Sequence, residues 1–403
     1  MRRRILIATL GLSLAATAPL ALAQKNYGPG VSDTEIKLGQ TMPYSGPASA
    51  YGTIGKLHLA YFKMINEQGG INGRKINLIS LDDGYSPPKT VEQVRKLVEQ
   101  EEVLALFQNL GTAANSAIHK YVNGRKVPHL LLATGATKWA DPKNFPWTLG
   151  FNPSYQAEGQ IYAKYLLKNK PNAKVAILYQ NDDFGKDLLK GVKDGLGAAG
   201  STMIVAEASY EVSDTTVDSQ ILTLQGSGAD TFINIATPKF SAQAIRKAWD
   251  SGWKPLQIVN NVGASVGAVL TPAGLDKSAG LLTMQYTKDP NDPQWNDDPK
   301  VLEWRAFMGR YYREGDPKDA SNTYAYLTAQ LMVHLLKACG NDLTRENLMK
   351  QAANIRNLKL PLFLPGVVLN TTPSDFFLIK QGQMAKFSGT QWQVFGEVLS
   401  MAR

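Results

Sequence analysis

The segment of this sequence best suited to chemistry is Gly263-x-Ser265-x-Gly267. A serine between two glycines at this spacing fits a sharp strand-to-helix turn that presents its hydroxyl as a nucleophile. Such a serine needs a histidine to take its proton. The one histidine that follows, His334, sits among Leu331, Met332, Leu335 and Leu336 in a helical apolar pattern, and no HGGG-like oxyanion loop accompanies it. Ser265 is therefore expected to be dispensable, and the chain is not expected to be an enzyme. Ser86-x-x-Lys89 matches one piece of a penicillin-recognising site, but Pro87 and Pro88 argue against the helical turn that would aim serine at lysine. Gly195-x-Gly197-x-x-Gly200 matches a dinucleotide fingerprint, yet it closes a helical stretch instead of following a strand, so it reads as helix termination. His58, His119, His129 and His334 have no metal-ligand spacing, so no metal or cofactor is expected.

Binding is better served than catalysis. Asn109-Leu110-Gly111-Thr112 and Thr134-Gly135-Ala136-Thr137 each follow a short apolar run. Each joins glycine, which lets backbone approach a ligand, to side chains that hydrogen-bond. Asp82-Asp83 also ends an apolar run, where a pocket-edge contact or a turn before Pro87-Pro88 both fit, and the turn is preferred.

These loops need a frame, and the apolar pattern supplies one. Short runs (Ile36–Met42, Ile76–Leu81, Val103–Gln108, Leu130–Ala133) alternate with stretches of helical spacing (Ile54–Ile65, Thr90–Val98, Ala113–Val122). The alternation starts again with Gln156–Leu167 and Val175–Tyr179 and runs to Leu281–Tyr286. Strand and helix in turn imply parallel sheets covered on both faces, with ligands beyond the strands' carboxyl ends. Asn144–Tyr155, with Pro146, Gly150 and Pro153, reads as a crossover between two units. Three helical stretches follow a proline-rich loop, and the tail from Val367 reads as strands, with Gln381-Gly382 and Ser388-Gly389 as turns.

The N-terminus reads as a leader. Arg2–Arg4 precede an apolar run broken at Pro19, and Ala21-Leu22-Ala23 offers a cleavage site after Ala23. The balance of 43 Lys+Arg against 34 Asp+Glu, with three of the arginines in the leader, is mildly basic and has no long basic run, so nucleic acid is not an expected partner. The single cysteine, Cys339, excludes an internal disulfide.

Ile36-Lys37-Leu38-Gly39, Ser45-Gly46-Pro47, Tyr51-Gly52, Ile65 to Gly73 (INEQGGING), Asp82-Asp83 with Pro88, and Lys126-Val127-Pro128 follow one another in an order that resembles the periplasmic binding proteins of the branched-chain amino acid type. The resemblance covers nearly the whole mature chain. It implies an α/β fold of two doubly wound parallel-sheet lobes joined by a three-strand hinge. Residues 31–149 plus 285–362 would form one lobe and 150–284 plus 363–403 the other. It implies a monomer in the periplasm that closes on a small carboxylate and delivers it to membrane permease subunits. The carboxylate would be gripped by Asn109, Gly111 and Thr112 and by Gly135, Ala136 and Thr137, beside Tyr51. Phe184 and Thr237 stand where the family has tyrosines, and Val262 stands about where it has an acid for the ligand's ammonium. A buried ammonium without a partner is costly. The sequence therefore points to an aromatic carboxylate, as in the branch of the family that binds benzoate- or hydroxycinnamate-like acids, with Tyr51, Trp139, Tyr155 and Phe184 as apolar walls. A hydrophobic amino acid, a soluble sensory module and a secreted serine hydrolase are the alternatives. Glu207 and Glu211 are the second-lobe acids nearest in sequence that would replace the missing charge.

Overall fold

The computed structural model describes residues 25–401, so the leader read at 1–23 lies outside the described residues. Five strands form one parallel sheet in the spatial order Lys75–Asp82, Glu35–Met42, Ala105–Phe107, His129–Leu132 and Thr148–Gly150. A second sheet repeats that arrangement with Ile204–Tyr210, Val175–Gln180, Thr231–Ile235, Leu256–Val259 and Leu282–Gln285, also parallel. Within each sheet the chain order is therefore second, first, third, fourth, fifth. This doubly wound order has its topological switch between the first and third strands, where a crevice opens beyond their carboxyl ends. The inner strands are buried along their whole length because helices cover both faces, which is why they read as continuous apolar runs. The architecture is the expected two-lobed α/β fold.

The helices follow from their spacing. Gly52–Glu67 buries Ile54, Leu57, His58, Tyr61, Phe62 and Ile65 on one face. Gly69 and Gly70 then turn the chain at φ 100° and 70°. The late helix Ala320–Cys339 packs on Gly52–Glu67, so after Leu282–Gln285 the chain returns to the first lobe. It leaves again to add the antiparallel strands Gln381–Phe387 and Trp392–Ser400 to the second sheet. The chain thus passes between the sheets three times, at 151–154, 286–288 and 362–380. The last two passages are tied together, with the Lys288 N–H donating to the Leu362 carbonyl at 2.8 Å and the Leu364 N–H to that of Tyr286 at 3.0 Å. We propose that the lobes divide at these passages, within a few residues of the expected bounds 31–149 with 285–362 and 150–284 with 363–403.

Three local expectations are corrected. The segment Asn144–Tyr155 does hold a crossover, at 151–154, but it also contains the strand Thr148–Gly150, too short to leave a period in the sequence. Gln381-Gly382 is no turn but the start of a strand, and a side chain at Gly382 would meet Met284 Sδ and Met401 Cε, each 2.5 Å away. Pro87-Pro88 do form a helical turn: they open the helix Pro87–Arg95, where their missing N–H groups cost nothing. Lys89 there reaches Asp82 at 3.2 Å.

Candidate functional site

The carboxyl ends of both sheets converge on a cleft with about 820 Å³ of empty space, its open mouth included. The loops at the two switch points supply its walls. Tyr51 follows the first strand of the first lobe, and Leu110, Gly111 and Thr112 follow the third. Phe184 follows the first strand of the second lobe, Thr237 the third, and Val262 and Ser265 the fourth. The passages between the lobes add Asn152, Tyr286 and Thr287, and the start of the helix Ala320–Cys339 adds Ser321 and Tyr324.

Of the expected residues, Tyr51, Gly111, Thr112, Phe184, Thr237 and Val262 meet at this cleft. The Tyr51 hydroxyl donates to the Val262 carbonyl at 2.8 Å and so bridges the lobes. Gly111 has φ 101°, and a Cβ there would lie 2.7 Å from the Tyr85 ring. Only glycine fits so close an approach. Thr112 opens the helix Thr112–Gly124, which has no side-chain cap, and its hydroxyl lies 2.6 Å from that of Thr134. Thr237 bonds the Gln180 side chain at 3.2 Å through its hydroxyl.

The other four stand outside the lining. Asn109 is buried behind it, donating to Thr41 Oγ1 at 2.8 Å. Gly135 faces Pro153 and Tyr155, whose N–H donates to its carbonyl at 2.8 Å. Ala136 is buried beside Thr134, and Thr137 gives both its N–H and its hydroxyl to Asp187 of the second lobe, at 2.8 and 2.9 Å. Trp139 is buried and donates to Thr134 at 3.2 Å. Ala133 and Tyr155 take that loop's place in the wall. Asp82 and Asp83 are turn residues: Asp82 accepts the Gly84 N–H and Asp83 that of Tyr85, both at 3.0 Å, which aims Tyr85 into the cleft.

Ser265 is a pin between the lobes. Its hydroxyl donates to Asp319 Oδ1 at 2.9 Å and accepts the N–H groups of Ala320 and Ala268 at 3.1 and 3.3 Å. With its proton already committed to Asp319, it is not poised as a nucleophile, and no histidine lines the cleft. Cys339 is buried, which pushes its thiol up to about 12.

The electrostatics were not legible from spacing. No Asp, Glu, Lys or Arg lines the cleft. Three acids stand just behind it, each bonded to the lining or its neighbours. Asp182 accepts the Phe184 N–H at 2.9 Å, Asp319 accepts Ser265, and Glu158 accepts the Asn261 N–H at 2.7 Å. Burial pushes all three up, Glu158 to about 7. Glu207 and Glu211, the acids nearest in sequence, instead hold Lys193 and Asn181 and stay out of the cleft.

The match to known proteins agrees with this geometry. Residues 35–385 match the model of the family described as periplasmic binding protein. The chain belongs to that family. Its members share the two-lobed fold seen here, a binding fold without catalytic machinery. Leu/Ile/Val-binding protein homolog 7 of Brucella abortus is 24% identical over 387 residues, covering 93% of each chain. A branched-chain amino acid ABC transporter protein from Thermus thermophilus, solved with bound valine, superposes with a TM-score of 0.81 at 17% identity over 92% of this chain and 97% of its own. A fatty acid ABC transporter substrate-binding protein from Thermomonospora curvata superposes at 0.77, with 21% identity over 93% and 95%. Among the described residues no helix is long and apolar enough to cross a membrane, and no cluster of potential metal ligands occurs. The family places this binding protein in the periplasm.

Proposed function

We propose that this protein captures a hydrophobic amino acid of the branched-chain kind in the periplasm and delivers it to the membrane permease of an ABC importer. The observation that carries the reading is the charge arrangement of the cleft. Its walls are apolar or neutral, acids stand behind them, and no lysine or arginine faces in. A zwitterion suits such a site. Its carboxylate takes the uncapped N-terminus of Thr112–Gly124, where free N–H groups and the helix dipole favour an anion. Its ammonium is drawn by Glu158, Asp182 and Asp319. Its side chain packs on Ile54, Leu110, Phe184 and Val262. The Brucella and Thermus relatives, named for such solutes, support the same reading.

The expected aromatic acid is supported less well. None of the relatives named above is described as binding one, and a bare carboxylate would face three acids without a basic partner. One observation keeps an apolar carboxylate as a second reading: an ammonium in the lining would meet only neutral acceptors. Calorimetric titration of ligand-free protein with leucine, isoleucine and valine, and with 4-hydroxycinnamate and octanoate, separates the two. Micromolar or tighter binding of an aliphatic amino acid is expected. Binding of the acids alone would reject the amino acid reading.

A further inference from the structure

We propose that Asn261 and Glu158 form the cation-sensing end of the cleft, Asn261 facing the solute's ammonium with its amide oxygen and Glu158 answering that charge by losing a proton. This rests on the amino acid reading above. Asn261 lines the cleft beside Val262. Its Nδ2 donates to the Met284 carbonyl at 2.7 Å, which can only accept, so the amide's orientation is fixed and Oδ1 is the atom left over. Its backbone N–H donates to Glu158 Oε1 at 2.7 Å. The side chain facing the solute and the carboxylate behind it therefore share one residue.

Glu158 is 2% exposed and has no cationic partner. Its other donor is the Tyr162 hydroxyl at 2.6 Å. On its own helix, Tyr155–Asn169, the titratable neighbours are Tyr155 and Tyr162, and Tyr286 follows the packed strand Leu282–Gln285. That strand brings Thr283, Met284 and Gln285, none of which titrates. The helix Asp183–Leu196 brings Leu188, Gly191 and Val192 against Gly159, and its Asp187 is turned to Thr137 and Gln156. The segment at Asn261 adds no charged group. Burial alone thus holds this acid up, at about 7.

A cation nearby favours the ionised form. Binding of an amino acid would then release a proton near neutral pH, and by linkage affinity would rise with pH up to about 7 and level off above. A bare carboxylate would do the reverse, taking up a proton and binding more weakly as pH rises. Calorimetry of the wild-type protein with leucine, in two buffers of different ionisation enthalpy from pH 5.5 to 8, counts the protons. Net release near pH 7 and affinity rising roughly tenfold across that range are expected. Glu158→Gln keeps an oxygen for both donors, and in it proton release and pH dependence should vanish, with leucine affinity at pH 8 lowered roughly tenfold to the level wild type shows at pH 5.5. Tight leucine binding without proton release would overturn this inference and leave the proposed function standing. No binding of any aliphatic amino acid would overturn both.

Discussion

Buried titratable side chains give this protein opposing responses to acid. His58 bonds Gln40 at 3.0 Å and Thr328 at 2.9 Å, and His129 bonds Asn115 at 2.7 Å, all inside the first lobe. Burial holds both rings neutral, with pKa values lowered to about 3. The unfolded chain binds their protons below about 6.5, so stability falls as pH drops from there. Glu158 acts the other way. Its folded value, about 7, is above the ordinary 4.5, so its ionisation costs stability as pH rises through that window. Between pH 5 and 6.5 it therefore offsets part of the loss due to the histidines. Glu158→Gln should steepen the fall in stability over that range by about 1 kcal/mol per pH unit. Urea unfolding of both proteins at four pH values checks this, and equal slopes would contradict it. None of these partners could be read from the sequence. The histidines were legible only as scattered and without metal spacing, and Glu158 was one acid in a helical stretch.

At the scale of elements, the sequence located what repeats and missed what packing decides. Long strands and helices left clear periods, and position at strand ends singled out Gly111 and Thr112, while the family resemblance supplied Tyr51, Phe184, Thr237 and Val262. The loop Gly135–Thr137 joins glycine to threonine as Asn109–Thr112 does, but tertiary contacts with Pro153, Tyr155 and Asp187 turn it from the cleft. Ser265 shows the same limit. Its glycine-flanked motif suggested a nucleophile or nothing, whereas the fold uses it to join the turn after Leu256–Val259 to the start of Ala320–Cys339. Asp319 caps that helix through the Ser321 N–H at 2.9 Å, whether or not Ser265 is present. Ser265→Ala should therefore leave the helix capped but remove a contact between lobes. A typical hydrogen bond is worth about 1 kcal/mol, so solute affinity should fall roughly fivefold. Calorimetry with the preferred solute tests this, and affinity equal to wild type would show that the pin does not favour the solute-binding arrangement.

For the whole molecule, binding and closure share one free energy. Tyr51 to Val262, Ser265 to Asp319, and the Gly267 N–H to the Lys318 carbonyl at 2.8 Å join the lobes around the cleft. A separate group joins them outside its lining. Asp187 accepts both hydrogen bonds from Thr137 and a third from Gln156 at 2.7 Å, next to the Lys138–Asp183 ion pair at 2.5 Å. The Thr137 and Lys138 contacts require the lobes to meet, whereas Gln156 belongs to the same lobe as Asp187, and Asp187 does not line the cleft. Removing them should lower the fraction of molecules in the binding-competent arrangement without altering the walls. Apparent affinity scales with that fraction, so every solute should weaken by the same factor. Asp187→Ala, which loses two hydrogen bonds between the lobes to a carboxylate, is expected to weaken binding roughly tenfold for each amino acid that binds, with their ranking kept. The ligand-free variant should also show a larger radius of gyration by X-ray scattering, because the lobes part more often. A change in ranking would mean that Asp187 shapes the cleft itself. Unchanged affinity and radius would mean that the Thr137 contact follows closure without stabilising it.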